Sequence, residues 1–293
     1  MLEVAREVSS AEEKAKYLEE GWVPEFFTGL RPGDGLPGRV EAYASSDELT
    51  AHLKAHTLTA RWFVRDPVTS DYYWDYDLTK PPPDRIPFLL HTPTTKDRKP
   101  VPLVLYFPGN GEVGTNLAAH FKQSTIFSKI ASPAFQKENP CYLFAPMLPD
   151  SASFRSGNRK FPTLLSVLVC DAMYAVIRDA RQPPVDTNRL YVTGLSFGGG
   201  AAMEMMVQWP GRFAACVPVE NLPSLPMIPE KPPGNYWFIF NEKNRYKGTR
   251  FEEHVEELRQ LIVSRGGECR VGNYPDEGHD AWHKAWQEDQ VWQ

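Results

Sequence analysis

The chain lacks the features that mark a membrane-spanning, nucleic-acid-binding or disulfide-stapled protein. It has no apolar run of the roughly 18 residues that a spanning helix requires. The longest apolar stretch near its middle, Leu164 to Cys170, is broken by Asp171. It has no basic excess, because 32 lysines and arginines face 37 aspartates and glutamates for a net charge of −5. Nucleic acid and anionic membrane surfaces both call for a basic face, so neither is expected as a partner. The four cysteines, Cys141, Cys170, Cys216 and Cys269, each sit in an apolar run, which reads as buried thiols rather than a disulfide set. The opening residues, MLEVAREVSSAEEKAKYLEE, hold no signal-peptide core, so the chain is expected to be cytoplasmic or to follow a removed leader. Two histidine pairs have i, i+4 spacing, His52/His56 and His279/His283. Neither carries the glutamate of H-E-x-x-H or an obvious third ligand, so no metal site is expected.

What is present is an ordinary globular composition, 42% hydrophobic and 24% charged, over 293 residues, enough for one large domain or a core with an extension. Proline is abundant, with 27 residues against a typical usage of about 5%. It gathers at element ends (81–83, 183–184, 223–233), as rigid loops do. Residues 1–85 read as an extension of helices and edge strands. Within it, a charged helix is expected over 11–20 and a loop over 29–38. Ser45 with Glu48 predicts a capped helix to about Thr57, and one or two strands are expected over 58–80. From Ile86 the pattern becomes strands alternating with helices. Strands are expected at 86–91, 102–107, 142–145, 189–193, 214–219, 236–240 and 269–274, with helices at 162–181, 199–209 and 251–265. That alternation predicts an α/β domain over 86–293, with a mostly parallel sheet and helices on both faces.

Gly194-Leu195-Ser196-Phe197-Gly198 fits G-x-S-x-G, with a strand before it and a glycine-rich helix start after it. A nucleophile elbow strains the backbone at the serine, and neighbours without bulky side chains let strand and helix approach. A serine hydroxyl needs a positioned base near neutral pH. His279 follows the last predicted strand and satisfies the order serine, acid, histidine. The loop Pro108-Gly109-Asn110-Gly111-Glu112-Val113-Gly114 leaves the apolar strand PLVLYF, and its glycines suit an oxyanion hole. No G-K-[ST] follows it, so a phosphate cradle is not expected and no cofactor is implied.

Three ordered segments carry a family resemblance: YFPGNGEVGTN (106–116), VDTNRLYVTGLSFGGG (185–200) and YPDEGHDAW (274–282). They resemble an esterase branch of the α/β-hydrolase superfamily related to polyhydroxybutyrate depolymerases, feruloyl esterases and the so-called predicted peptidases. The resemblance covers about residue 86 to the end and leaves the first 85 residues uncovered. It implies Ser196 as nucleophile, His279 as base, and the N–H groups of Asn110 and Phe197 as oxyanion donors. Two positions depart from the family pattern. Pro108 stands where a histidine is usual, which reshapes the pocket. Asn244 stands where the family places its aspartate, and an amide cannot stabilise an imidazolium as a carboxylate does.

The acid therefore stays open between Glu220, Glu242 and none. Glu220 ends the strand directly after the nucleophile helix, and glucuronoyl esterases are similar in carrying their glutamate after that strand. The bland alternative is a solvated loop carboxylate. Phe197 and Trp282 are expected to line the acyl pocket, with Trp209 as readily a core residue. The aromatic and acidic run 71–77 is a half-buried strand or a sugar-stacking edge, and 147–162 suits a lid. The expected activity is ester hydrolysis through an acyl-enzyme, on a small-molecule or carbohydrate-linked ester. A serine peptidase and a catalytically silent binding protein of the same fold are the alternatives.

Overall fold

The computed structural model describes residues 38–65, 85–95, 99–122, 125–148, 164–180, 183–221, 228, 234–241, 251–274 and 280–292. Nine strands among them form one sheet: β1 Gly38–Ala42, β2 Leu58–Arg65, β3 Arg85–His91, β4 Val101–Phe107, β5 Tyr142–Pro146, β6 Val185–Leu195, β7 Ala215–Val219, β8 Tyr236–Phe240 and β9 Cys269–Asn273. Their order is β1-β2-β3-β5-β4-β6-β7-β8-β9. The six strands from β5 to β9 in that order run parallel, while β1, β2 and β3 are antiparallel to their neighbours. Strands β4, β5 and β8 read as near-continuous apolar runs because both of their faces are covered. In β4, all but Pro102 are buried.

The helices are α1 Asp47–Ala55, α2 Ile126–Ile130, α3 Pro133–Glu138, α4 Leu164–Asp179, α5 Phe197–Gln208, α6 Phe251–Ser264 and α7 Trp282–Ala285. Helices α4, α5 and α6 pack on one face of the sheet around Leu168, Met173, Ala202, Met205 and Leu258. Helices α2, α3 and α7 pack on the other around Tyr106, Phe127, Leu143, Trp282 and Trp286. Helix α4 is buried from Leu165 to Val176, so its polar groups need partners inside. Ser166 Oγ donates to Gln208 Oε1 at 2.5 Å, and Gln208 Nε2 donates to Glu204 Oε2 at 2.8 Å. Helix α6 turns Val255, Leu258 and Ile262 inward and ends at Ser264, two residues before Gly266, whose φ of 91° suits glycine.

Several boundaries differ from the sequence expectation. The cap of α1 is Ser46 rather than Ser45, because the Ser46 side chain accepts the Leu49 N–H. Strand β6 begins at Val185, four residues early, since Val101 pairs with Val185 at the start of β4. Strand β1 and the short helices α2, α3 and α7 carry too little periodic pattern to be seen. All four cysteines are free thiols, with Cys141, Cys170 and Cys216 buried and Cys269 half-buried. No helix of the described residues is long and apolar enough to cross a membrane. The expected helix at 11–20 and the aromatic run 71–77 lie outside the described residues. So do Glu242, Asn244, His279 and most of the loop 147–162.

Candidate active site

Ser196 stands where β6 hands over to α5, and its backbone is forced. Its φ of 50° and ψ of −115° fall in a region that costs a serine on the order of 1–3 kcal/mol and persists only where the surroundings over-determine it. Leu195 pairs with Val219 of β7, and the next rung is the bond from Ser196 N–H to Val219 C=O at 2.8 Å. On the other side, Gly194 lies against the Gly198 carbonyl, and Gly198 lies against the carbonyls of Phe107 and Pro108. Strand, elbow and neighbouring strand touch backbone to backbone there, and a Cβ has no room. Gly198, Gly199 and Gly200 are poor helix formers, by about 1 kcal/mol each relative to alanine. The contacts override that propensity. Ser196 thus sits half-buried at the carboxyl edge of the sheet, at the N-terminus of α5, where oriented N–H groups favour negative charge. Phe197, whose N–H belongs to that first turn, is buried.

The loop after β4 runs beside the elbow, because Phe107 pairs with Gly194. Asn110–Glu112 form a 3-10 turn. Glu112 is fully buried; its Oε2 accepts the Gly109 N–H at 2.9 Å, and its own N–H donates to the Gly109 carbonyl at 3.0 Å. The Gly109 N–H is thereby committed within the loop, and Asn110, which opens the turn, is exposed. Glu112 was not singled out in the sequence. The signal that could have found it is a carboxylate three residues after Gly109, the spacing of a capping box.

Glu220 follows β7 one strand over from Ser196, at the same level. Its N–H donates to Ile239 C=O at 2.8 Å, its φ is 55°, and it is 0% exposed. That burial rules out the solvated loop carboxylate, since a buried carboxylate must be held by partners. Three non-glycine residues among those described have positive φ: Thr57, Ser196 and Glu220. Two of the three are these site candidates. Beyond Glu220 the chain leaves β9 through Tyr274, whose N–H donates to Phe240 C=O at 2.8 Å, and it re-enters the described residues at Asp280. His279 lies between. Trp282 is 2% exposed and packs with Ala281, Ala285 and Trp286 against the sheet. Trp209 is buried in the opposite cluster.

Solved structures of esterases and peptidases share this fold. The sequence itself matches no protein-family model, and no curated protein is similar to it. Among solved structures it is similar to a thermostable esterase, at 22% identity and a TM-score of 0.57, covering 71% of this chain and 57% of that one. It is similar to an S-formylglutathione hydrolase of Staphylococcus aureus at 9% identity and a TM-score of 0.52, covering 71% and 92%. It is also similar to an acylaminoacyl peptidase of Pyrococcus horikoshii at 12% identity and a TM-score of 0.50, covering 68% and 37%. The fold is that of the α/β-hydrolases. In an α/β-hydrolase the nucleophile occupies the sharp strand-to-helix turn at the top of the sheet, and Ser196 occupies that turn here. The chain spans little more than half of the thermostable esterase and about a third of the peptidase.

A cavity of about 730 Å³ lies at the other end of the sheet, lined by Val104, Tyr191, Val217, Trp237 and Trp292. It opens at the amino ends of the parallel strands, away from Ser196. Among the described residues, no cluster of histidine, cysteine and carboxylate could hold a metal ion.

Proposed function

We propose that this chain is a serine hydrolase that cleaves carboxylic esters through an acyl-enzyme on Ser196. The observation that carries the reading is the strained Ser196 at a helix N-terminus, with the fully buried Glu220 one strand away at the same level. In this mechanism His279 takes the Ser196 proton as Oγ attacks the ester carbonyl. The N–H groups of Asn110 and Phe197 hold the oxyanion that forms. The alcohol leaves with the proton from His279, and water then releases the acid by the same route in reverse. Glu220 orients His279 and stabilises its charged form, the role a triad acid plays wherever it sits in the chain. A glutamate in that role explains why Asn244 is tolerated where related esterases place an aspartate. No cofactor takes part in these steps.

The similarity to an acylaminoacyl peptidase motivates a second reading, amide cleavage by the same groups. Short p-nitrophenyl esters and matched p-nitroanilides separate the two. The test sets wild type beside Ser196→Ala, Glu220→Gln and Asn244→Asp. Wild type and Asn244→Asp are expected to turn over esters and Ser196→Ala to be inert. Glu220→Gln should lose about two to four orders of magnitude in kcat. Full activity in Glu220→Gln would remove Glu220 from the mechanism. An inert wild type with an active Asn244→Asp would overturn the proposed activity.

A further inference from the structure

The turn that carries Glu220 holds a second residue aimed at the nucleophile. Asn221 Nδ2 donates to the Ser196 carbonyl at 3.0 Å. That carbonyl also accepts the Gly200 N–H at 3.3 Å, so the Asn221 amide supplies the shorter of the two bonds. On the other side of the same residue, the Ser196 N–H is held by Val219 C=O at 2.8 Å. The strained residue is therefore gripped at both ends by the two neighbours of Glu220. Gly199 and Gly200, which fall outside the G-x-S-x-G motif, make this grip possible. A Cβ on Gly199 would lie 3.0 Å from Asn221 Cβ and 2.8 Å from Val219 O, and one on Gly200 would lie 3.2 Å from Asn221 Nδ2. The two glycines form the floor on which the amide rests.

We propose that Asn221 is a positioning residue for acyl transfer: its amide ties the Ser196 carbonyl to the Glu220 turn and so holds the nucleophile in its strained conformation at a fixed distance from the acid. The proposal rests on the reading of Ser196 as nucleophile. Asn221 touches no reacting atom and acts through the Ser196 backbone. Positive φ at both Ser196 and Glu220 means that each turn, left to itself, relaxes toward an ordinary conformation. The bond from Asn221 opposes that relaxation at the residue whose hydroxyl must stay aligned with the oxyanion donors.

The test compares Asn221→Ala and the isosteric Asn221→Asp, which keeps the shape and loses the donor, with wild type and with Val263→Ala. Val263 is exposed on α6 and belongs to no part of the site, so that variant is the control. Each protein is assayed with p-nitrophenyl butyrate, with a fluorophosphonate probe for the rate of Ser196 labelling, and by thermal unfolding. Loss of one neutral hydrogen bond predicts a fall of about five- to tenfold in kcat and in labelling rate for Asn221→Ala. KM should stay within about twofold, because the lost bond positions the reacting atom rather than the bound substrate. Asn221→Asp falls further, since a carboxylate then faces a carbonyl. Gly200→Ala is expected to slow labelling in wild type and to add nothing in Asn221→Ala, because the two side chains compete for one space. Wild-type kcat and labelling rates in both Asn221 variants would overturn the proposal. So would a change in KM alone, or a lower unfolding temperature with unchanged kcat. Absence of labelling in wild type would instead overturn the reading of Ser196 on which the proposal rests.

Discussion

Gly198→Ala is the sharpest perturbation the structure offers. A Cβ there would lie 2.6 Å from the Phe107 carbonyl carbon, and closer still to the carbonyl oxygens of Phe107 and Pro108, where ordinary contact begins at 3.4 Å. All three atoms are backbone, so no side chain can swing aside, and elbow and strand end must separate by about 1 Å in a densely packed region. Overpacking of this kind costs about 1–3 kcal/mol, which for a protein of 293 residues lowers the unfolding temperature by about 2 to 5 °C. The same displacement moves the end of β4 and the loop after it away from the Ser196 elbow, and a 1 Å misplacement can cost about 100-fold in rate. Val263→Ala, at an exposed position of α6, supplies the control. Calorimetry and p-nitrophenyl ester turnover, run on both variants below their unfolding temperatures, give the two readouts. Wild-type stability and kcat in Gly198→Ala would refute the claim that backbone contact fixes the elbow against the loop after β4.

Two further predictions come from strain and from burial. Ser196→Gly should abolish turnover yet raise stability by up to about 1 kcal/mol, because glycine adopts a positive φ without penalty; a lower unfolding temperature would contradict it. Burial among Tyr106 and Phe127 pushes the His120 imidazole down to about 3, so below pH 6.5 the unfolded chain binds a proton that the folded protein refuses. Stability from this group is complete above that pH and lost progressively as pH falls toward 3, by about 2 kcal/mol between pH 7 and 5. His120→Phe should flatten the urea-unfolding profile over that range, and an unchanged slope would contradict the assignment.

The parallel core was legible because its strands are buried on both faces. VPLVLYF and YWFIF are apolar along their length, and short apolar runs bounded by glycine and proline leave little choice of register. The elbow was legible because the backbone contacts at Gly194 and Gly198 exclude side chains, so geometry writes itself into residue type. Asn221 and Glu112 were not legible. Asn221 acts through its amide on a backbone carbonyl that no spacing advertises, and the capping-box spacing of Glu112 after Gly109 is too short a signal to stand out in a glycine-rich loop. Glu220 was ambiguous for the same reason: position after a strand does not reveal burial. Trp282 illustrates the converse: beside the expected histidine loop an aromatic residue reads as substrate-lining, and the structure buries it with Trp286 in the core cluster.

The central claim is that Ser196 is a nucleophile activated in place. Treating the native protein with a fluorophosphonate and locating the adduct by peptide mass spectrometry tests it most directly. The account predicts one stoichiometric adduct on Ser196, absent in Ser196→Ala and after denaturation. No adduct, or an adduct on another residue, would contradict it.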